Sequence, residues 1–272
     1  MTEREALVAE LWYATAPDLT DPVLLEGLRA VSPGTEAQDG SLVVPYDGGE
    51  VPARLDPSAG GDGHSPSPLV TAVLPGSALG EGGKSLPGTS QTWDWPDADE
   101  ALAGARASVL VTEMFAGPYG ARDRIAALVG VVAALTAATG PVAVSWPTSQ
   151  RVTDPGAPAS DGLGGLVNVR LFAVSDDADE MVMDTCGLAT LGLPDLQVHF
   201  RDLEPPRLAA LLYATAGYLL EAGDVIADGN TVSGLDGDEH WRCEHEDALV
   251  PPARRVLDID PGDPYAAGRR AR

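Results

Sequence analysis

A chain of 272 residues with 41 acidic and 17 basic side chains carries a net charge of −24. That balance excludes the continuous positive stripe that nucleic-acid phosphates need, and it disfavours anionic membrane surfaces. Hydrophobic content of 44% permits a packed core, aromatics at 5% leave Ala, Leu and Val to fill it, and 31 Gly with 23 Pro imply many turns.

Taken in chain order, Leu7 to Ala16 reads as a strand carrying Trp12 and Tyr13. No basic and then apolar run precedes it, so no secretory signal is read there. Thr20-Asp-Pro22 opens a helix with a capping side chain and an early proline, and Leu24, Leu25 and Leu28 supply its apolar stripe. Ser41 to Val44 and Val51 to Leu55 read as a hairpin around Asp47-Gly48-Gly49. Residues 56–68 form a loose loop, Leu69 to Leu74 a strand, and 76–90 a second loose run.

Asp97 to Ala105 reads as a short helix and Ser108 to Phe115 as a strand. Ala121 to Thr139 is the central helix, with Ile125, Leu128, Val129, Val132 and Leu135 at helical spacing. From Ile125 to Trp146 no side chain is charged, yet Gly140-Pro141 divides the run, so it reads as a buried helix and then a buried strand, not a membrane span. A third soft loop covers 151–165, followed by a strand over Leu166 to Val174 that pairs with Glu180 to Asp184. Leu196 to Phe200 is a strand, Glu204 to Ala222 a helix stopped by Gly223, and Asn230 to Ser233 with His240 to His245 a hairpin. The run Val256-Leu257-Asp258-Ile259 is the last apolar stretch.

The expected class is α+β, a mixed and mainly antiparallel sheet packed with about four helices. The expected organisation is a variable N-terminal part over 1–175, a C-terminal module over 176–262, and a disordered tail over 263–272.

Motifs that promise chemistry fail on spacing. Leu74 to Ser85 ends in Gly83-Lys84-Ser85 like a phosphate-binding loop, but the position that needs glycine holds Ala78. Leu86-Pro87-Gly88 also blocks the helix that should start at Lys84, the single lysine. No Gly-x-Ser-x-Gly nucleophile elbow occurs. Asp94, Asp97, Asp99 and Glu100 cluster beside Trp93 and Trp95, but Asp97, Asp99 and Glu100 read as the acidic first turn of a helix, not as a glycosidase pair. Cys186 and Cys243, the two cysteines, make no disulfide framework and suit a reducing cytoplasm.

The densest polar stretch is Asp238-Glu-His-Trp-Arg-Cys-Glu-His-Glu-Asp247. As a strand it puts Trp241, Cys243 and His245 on one face and His240, Arg242, Glu244 and Glu246 on the other. That alternation breaks up a metal-ligand set, and neither a metal nor a cofactor is expected.

Met183 to Phe200, the helix through Leu212-Tyr213, Gly223 to Val232, Trp241 to Pro251 and Val256 to Asp258 together resemble a bacterial domain-of-unknown-function family, number 4261. The resemblance spans about Glu180 to Asp260; Trp93 to Asp97 and Val109 to Thr112 are similar to the more variable upstream part of such proteins. It implies that Trp241, Arg242, Cys243 and His245 belong to a family pattern, and it brings no catalytic residues with it.

Two functions stand at this point. The first is a cytoplasmic, non-enzymatic protein-binding or regulatory protein, one form being an immunity protein that neutralises a toxin. The alternative is a hydrolase-like enzyme whose catalytic candidates are His199, Asp228, Asn230, His245 and Cys243. That alternative requires His199, His245 and a carboxylate to converge.

Overall fold

The computed structural model describes residues 5–46, 48, 69–76, 85–156, 163, 165–174 and 180–268. It divides into two compact units, Met1–Gly165 and Leu166–Arg272. Both are built as expected for an α+β chain, but around two separate sheets instead of one.

The first unit contains β1 (Val8–Tyr13), α1 (Pro22–Val31), β2 (Glu36–Gln38), β3 (Ser41–Pro45), β4 (Val70–Pro75), α2 (Ala98–Ala103), β5 (Ala107–Met114), α3 (Ala121–Thr139), β6 (Ala143–Trp146) and β7 (Arg151–Thr153). The strands form one sheet in the order β2-β3-β4-β5-β1-β6-β7. Every pairing in it is antiparallel. Asp21 caps α1 by accepting from the Val23 and Leu24 N–H groups at 2.7 and 3.4 Å, and Pro22 fills the first turn. Along α3, Arg124, Leu128, Val131 and Leu135 recur at helical spacing and are buried. Gly140 closes that helix at φ 59°.

Alternation sorts the β1 side chains. Tyr13 reaches α3 through a 2.8 Å hydrogen bond to Thr139, whereas Trp12, on the opposite face, packs with Leu102, Ala105, Ala143 and Val152. The sheet is thus covered by α3 on one face and by the α2 region on the other.

Two short strands escaped the sequence reading. β2 pairs with β3, and β7 closes the β6 edge inside the expected 151–165 loop. Three residues give too few alternations to register as a strand pattern. The expected partner of β3, Val51 to Leu55, lies outside the described residues, as do 56–68 and the turn at Asp176-Asp177.

The second unit holds β8 (Asn168–Ala173), β9 (Met181–Cys186), β10 (Asp195–Phe200), α4 (Pro205–Ala222), β11 (Thr231–Ser233), β12 (His240–Asp247) and β13 (Arg255–Asp260). Its sheet runs β11-β12-β13-β10-β9-β8, and only β10 and β13 pair in parallel. The crossover that a parallel pair demands is supplied by α4 and the β11–β12 hairpin. β8 pairs with β9 throughout, so the unit begins at Leu166, ahead of the 175/176 break expected from sequence.

The tail is corrected. Residues 263–268 pack along β10: Arg201 donates to the Tyr265 carbonyl at 2.9 Å, Ala267 donates to the His199 carbonyl at 3.2 Å, and Ala267 is fully buried. Residues 269–272 lie outside the described part. Among the described residues, no helix is long and apolar enough to cross a membrane.

Candidate functional site

The polar stretch at 238–247 is β12, and its burial follows the expected alternation. Trp241 and Cys243 are buried; His240, Arg242 and Glu246 are exposed. His245 stands at the rim of the buried face, beside the loop between α4 and β11. That loop is bounded by Gly223 at φ 85° and Gly229 at φ 82°, left-handed conformations that side chains with a Cβ resist.

The loop brings two carboxylates to one imidazole. Asp228 Oδ1 lies 2.8 Å from His245 Nδ1, and Asp224 Oδ1 lies 3.2 Å from Nε2. The His245 backbone N–H also donates to Asp228 Oδ1 at 2.8 Å. Burial pushes the His245 pKa down, but its hydrogen bonds to Asp228 and Asp224 and their charges outweigh that, and the net direction is up. The same bonds hold the Asp228 carboxyl below its ordinary value.

Asn230 belongs to this loop but serves its backbone. Its side-chain oxygen accepts from the Ala227 N–H at 3.0 Å, and its carbonyl accepts from the Cys243 N–H at 2.8 Å. The Cys243 carbonyl accepts from the Gly229 N–H at 2.8 Å. Burial pushes the Cys243 and Cys186 thiols up to about 11 each, so neither is a ready thiolate.

His199 does not join the cluster. Gln197 pairs in register with Asp258, and Asp258 with Glu244, so these three side chains share a face. His199 follows Gln197 by two residues and keeps that face; His245 follows Glu244 by one and takes the other. The structure therefore brings Asp228 and His245 together, places Asn230 and Cys243 behind them as backbone supports, and leaves His199 on the far side beside Glu180, 3.7 Å away. The convergence of His199 with His245 expected for a hydrolase-like site does not occur.

Asp224 was missed by the sequence reading. Its one signal was position, an acid next to the helix-ending Gly223 and in the same loop as Asp228. A buried ion network was missed as well. Arg170 donates to Asp184 at 3.0 and 2.6 Å, and Arg254 donates to Asp184 at 2.6 Å and to Asp195 at 2.9 Å. Burial raises the Asp195 pKa, with Arg254 opposing. Two arginines and two aspartates in this arrangement neutralise one another and tie β8, β9 and β10 to the segment before β13.

A recess of about 440 Å³ in the first unit is lined by Glu10, Pro87, Gln91, Gln150 and Arg151 among others. Trp12 and Trp146 border it but are only 1% and 3% exposed, so they offer no ring face for stacking. Among the described residues, no group of three or more His, Cys, Asp or Glu side chains is disposed to hold a metal ion.

The second unit is thus an α+β module: a six-stranded sheet, one long helix, and a histidine held between two aspartates. Residues 184–260 match the family model described as Domain of unknown function (DUF4261). The matched stretch takes in β10, α4, the loop from Gly223 to Asn230, and β11 to β13. No curated protein matches the chain, and no solved structure matches it.

Proposed function

We propose that this is a cytoplasmic, non-enzymatic binding or regulatory protein whose partner is a protein with a basic surface, an immunity-type protein being one form. The observation that carries the reading is the exposed acid around the β11–β12 hairpin. Asp224, Asp228, Asp236, Asp238, Glu246 and Asp247 are exposed there, against exposed Arg207, Arg242 and Arg255, which pair with Asp236, Glu244 and Asp247, so the acids still outnumber the cations. With a chain charge of −24, such a surface steers a basic partner and repels an acidic one. The cytoplasmic assignment rests on two free, buried cysteines.

A hydrolase-like enzyme is the second reading, and the 2.8 Å His245–Asp228 contact favours it as a base with its orienting carboxylate. Against it stands Asp224, which engages the other ring nitrogen that a substrate proton would need.

Size-exclusion chromatography with the protein from its native cells tests the binding reading. A stoichiometric complex is expected that dissociates as ionic strength rises from about 0.1 M to about 1 M, over which the screening length falls from about 10 Å to about 3 Å. Glu246→Lys with Asp247→Lys should weaken it. A protein that runs without a stoichiometric partner, or a complex indifferent to both salt and charge reversal, counts against the proposal.

A further inference from the structure

The contacts of His245 cannot all be kept by a neutral ring. A neutral imidazole carries one N–H donor and one lone pair, whereas an imidazolium carries two donors. Both ring nitrogens of His245 face carboxylate oxygens, at 2.8 Å for Asp228 and 3.2 Å for Asp224. Only the imidazolium donates to both. In the neutral ring one nitrogen lone pair must face a carboxylate, and that contact turns repulsive.

Which arm opens is set by the rest of the loop. Asp228 keeps a second hydrogen bond, from the His245 backbone N–H at 2.8 Å, which does not depend on ring protonation. Its contact with the ring is also the shorter one. The far end of the loop is fixed by backbone bonds between Asn230, Gly229 and Cys243. Among the described residues Asp224 has no such second anchor, and it sits directly after Gly223 at φ 85°. The charged groups that bear on the cluster are Asp224 and Asp228 from the loop and Arg255 from β13, whose guanidinium donates to the His245 carbonyl at 2.8 Å.

We propose that the loop from Gly223 to Gly229 is a proton-operated clasp: imidazolium His245 pins it at both Asp224 and Asp228, and deprotonation releases the Asp224 arm while the Asp228 arm stays. Release frees the stretch that carries Ile226, which is 7% exposed in the closed loop. The device needs no partner, so it stands or falls separately from the binding reading.

Backbone ¹⁵N relaxation at about pH 5.5 and about pH 8.5, on either side of the histidine range, tests it. At the lower pH, order parameters for residues 224–227 should be near the rigid value of about 0.85, and at the higher pH they should fall below about 0.6, with 229–230 rigid at both. Asp224→Asn, which preserves size, should abolish the pH response, and His245→Gln should leave 224–227 mobile at both pH values. A loop rigid at both pH values overturns the proposal, and so does a pH response that survives in His245→Gln.

Discussion

His199 and His245 project from opposite faces of one sheet, with β13 between their strands. Two strand spacings, about 9–10 Å, and a three-residue offset along β10, about 10 Å more in the perpendicular direction, separate their backbones, and the sheet itself separates the rings. Groups so placed do not act as a unit. In a double-mutant cycle, His199→Ala and His245→Ala should add to within about 0.5 kcal/mol of stability. His245→Ala and Asp228→Ala, which share the 2.8 Å contact, should depart clearly from additivity. Urea denaturation of the two cycles checks this; strong coupling between the histidines would restore the shared-site idea.

Arg124 and Glu113 lock α3 to β5 from inside the first unit. Arg124 Nε donates to the two Glu113 carboxylate oxygens at 2.9 and 3.1 Å, and both side chains are buried. Glu113 also accepts from the Leu7 N–H at 2.8 Å, and Arg124 donates to the Glu5 carbonyl at 3.0 Å. Removing one partner strands the other charge out of water. Arg124→Met should cost about 3–5 kcal/mol, and adding Glu113→Gln should recover part of it. A measured loss under about 1 kcal/mol for Arg124→Met, or no recovery in the double variant, would sink the argument.

The long elements were legible because their periodicities run over enough residues. The α3 boundaries, Ala121 and Thr139, follow directly from the apolar spacing and the Gly140 stop. The faces of β12 followed from alternation over eight residues. What stayed hidden depends on partners far apart in sequence. Nothing near Arg170 and Asp184, which the expected β8–β9 pairing brings together, announces Arg254, and nothing near His245 announces Asp224. The division into two sheets was hidden for the same reason, since pairing is a property of two segments and pattern a property of one. His199 and His245 both read as strand histidines, and only the register across β10, β13 and β12 assigns them to opposite faces.

Tyr13 sets an alkaline limit. Burial pushes its phenol up to about 12 from 10.0, with the Thr139 hydrogen bond pulling the other way. The folded chain thus favours the neutral phenol more than the unfolded chain does. That contribution is complete below about pH 10, shrinks as the unfolded phenol ionises, and is gone above about pH 12, in total on the order of 2 kcal/mol. Tyrosinate absorbance during a pH titration should show a component near pH 12 that disappears in Tyr13→Phe. The same variant should lose less stability between pH 10 and 12. A titration unchanged by Tyr13→Phe would refute this assignment.

Gly165 and Gly140 share a left-handed backbone but not a neighbourhood. Gly140, at φ 59°, has open space where a Cβ would stand; at Gly165, φ 87°, a Cβ would lie 2.2 Å from Trp146 Nε1. The Trp146 ring cannot withdraw cheaply, because its N–H donates to Thr153 Oγ1 at 3.0 Å and the residue is 3% exposed. Gly140→Ala should therefore cost only the backbone term, about 1–2 kcal/mol. Gly165→Ala should add an overpacking term of about 1–3 kcal/mol to a similar backbone cost. Denaturant midpoints compared at unchanged m-value measure both losses. Equal losses at the two glycines would mean that Trp146 yields, and that the β6–β7 corner is not packed as tightly as the geometry requires.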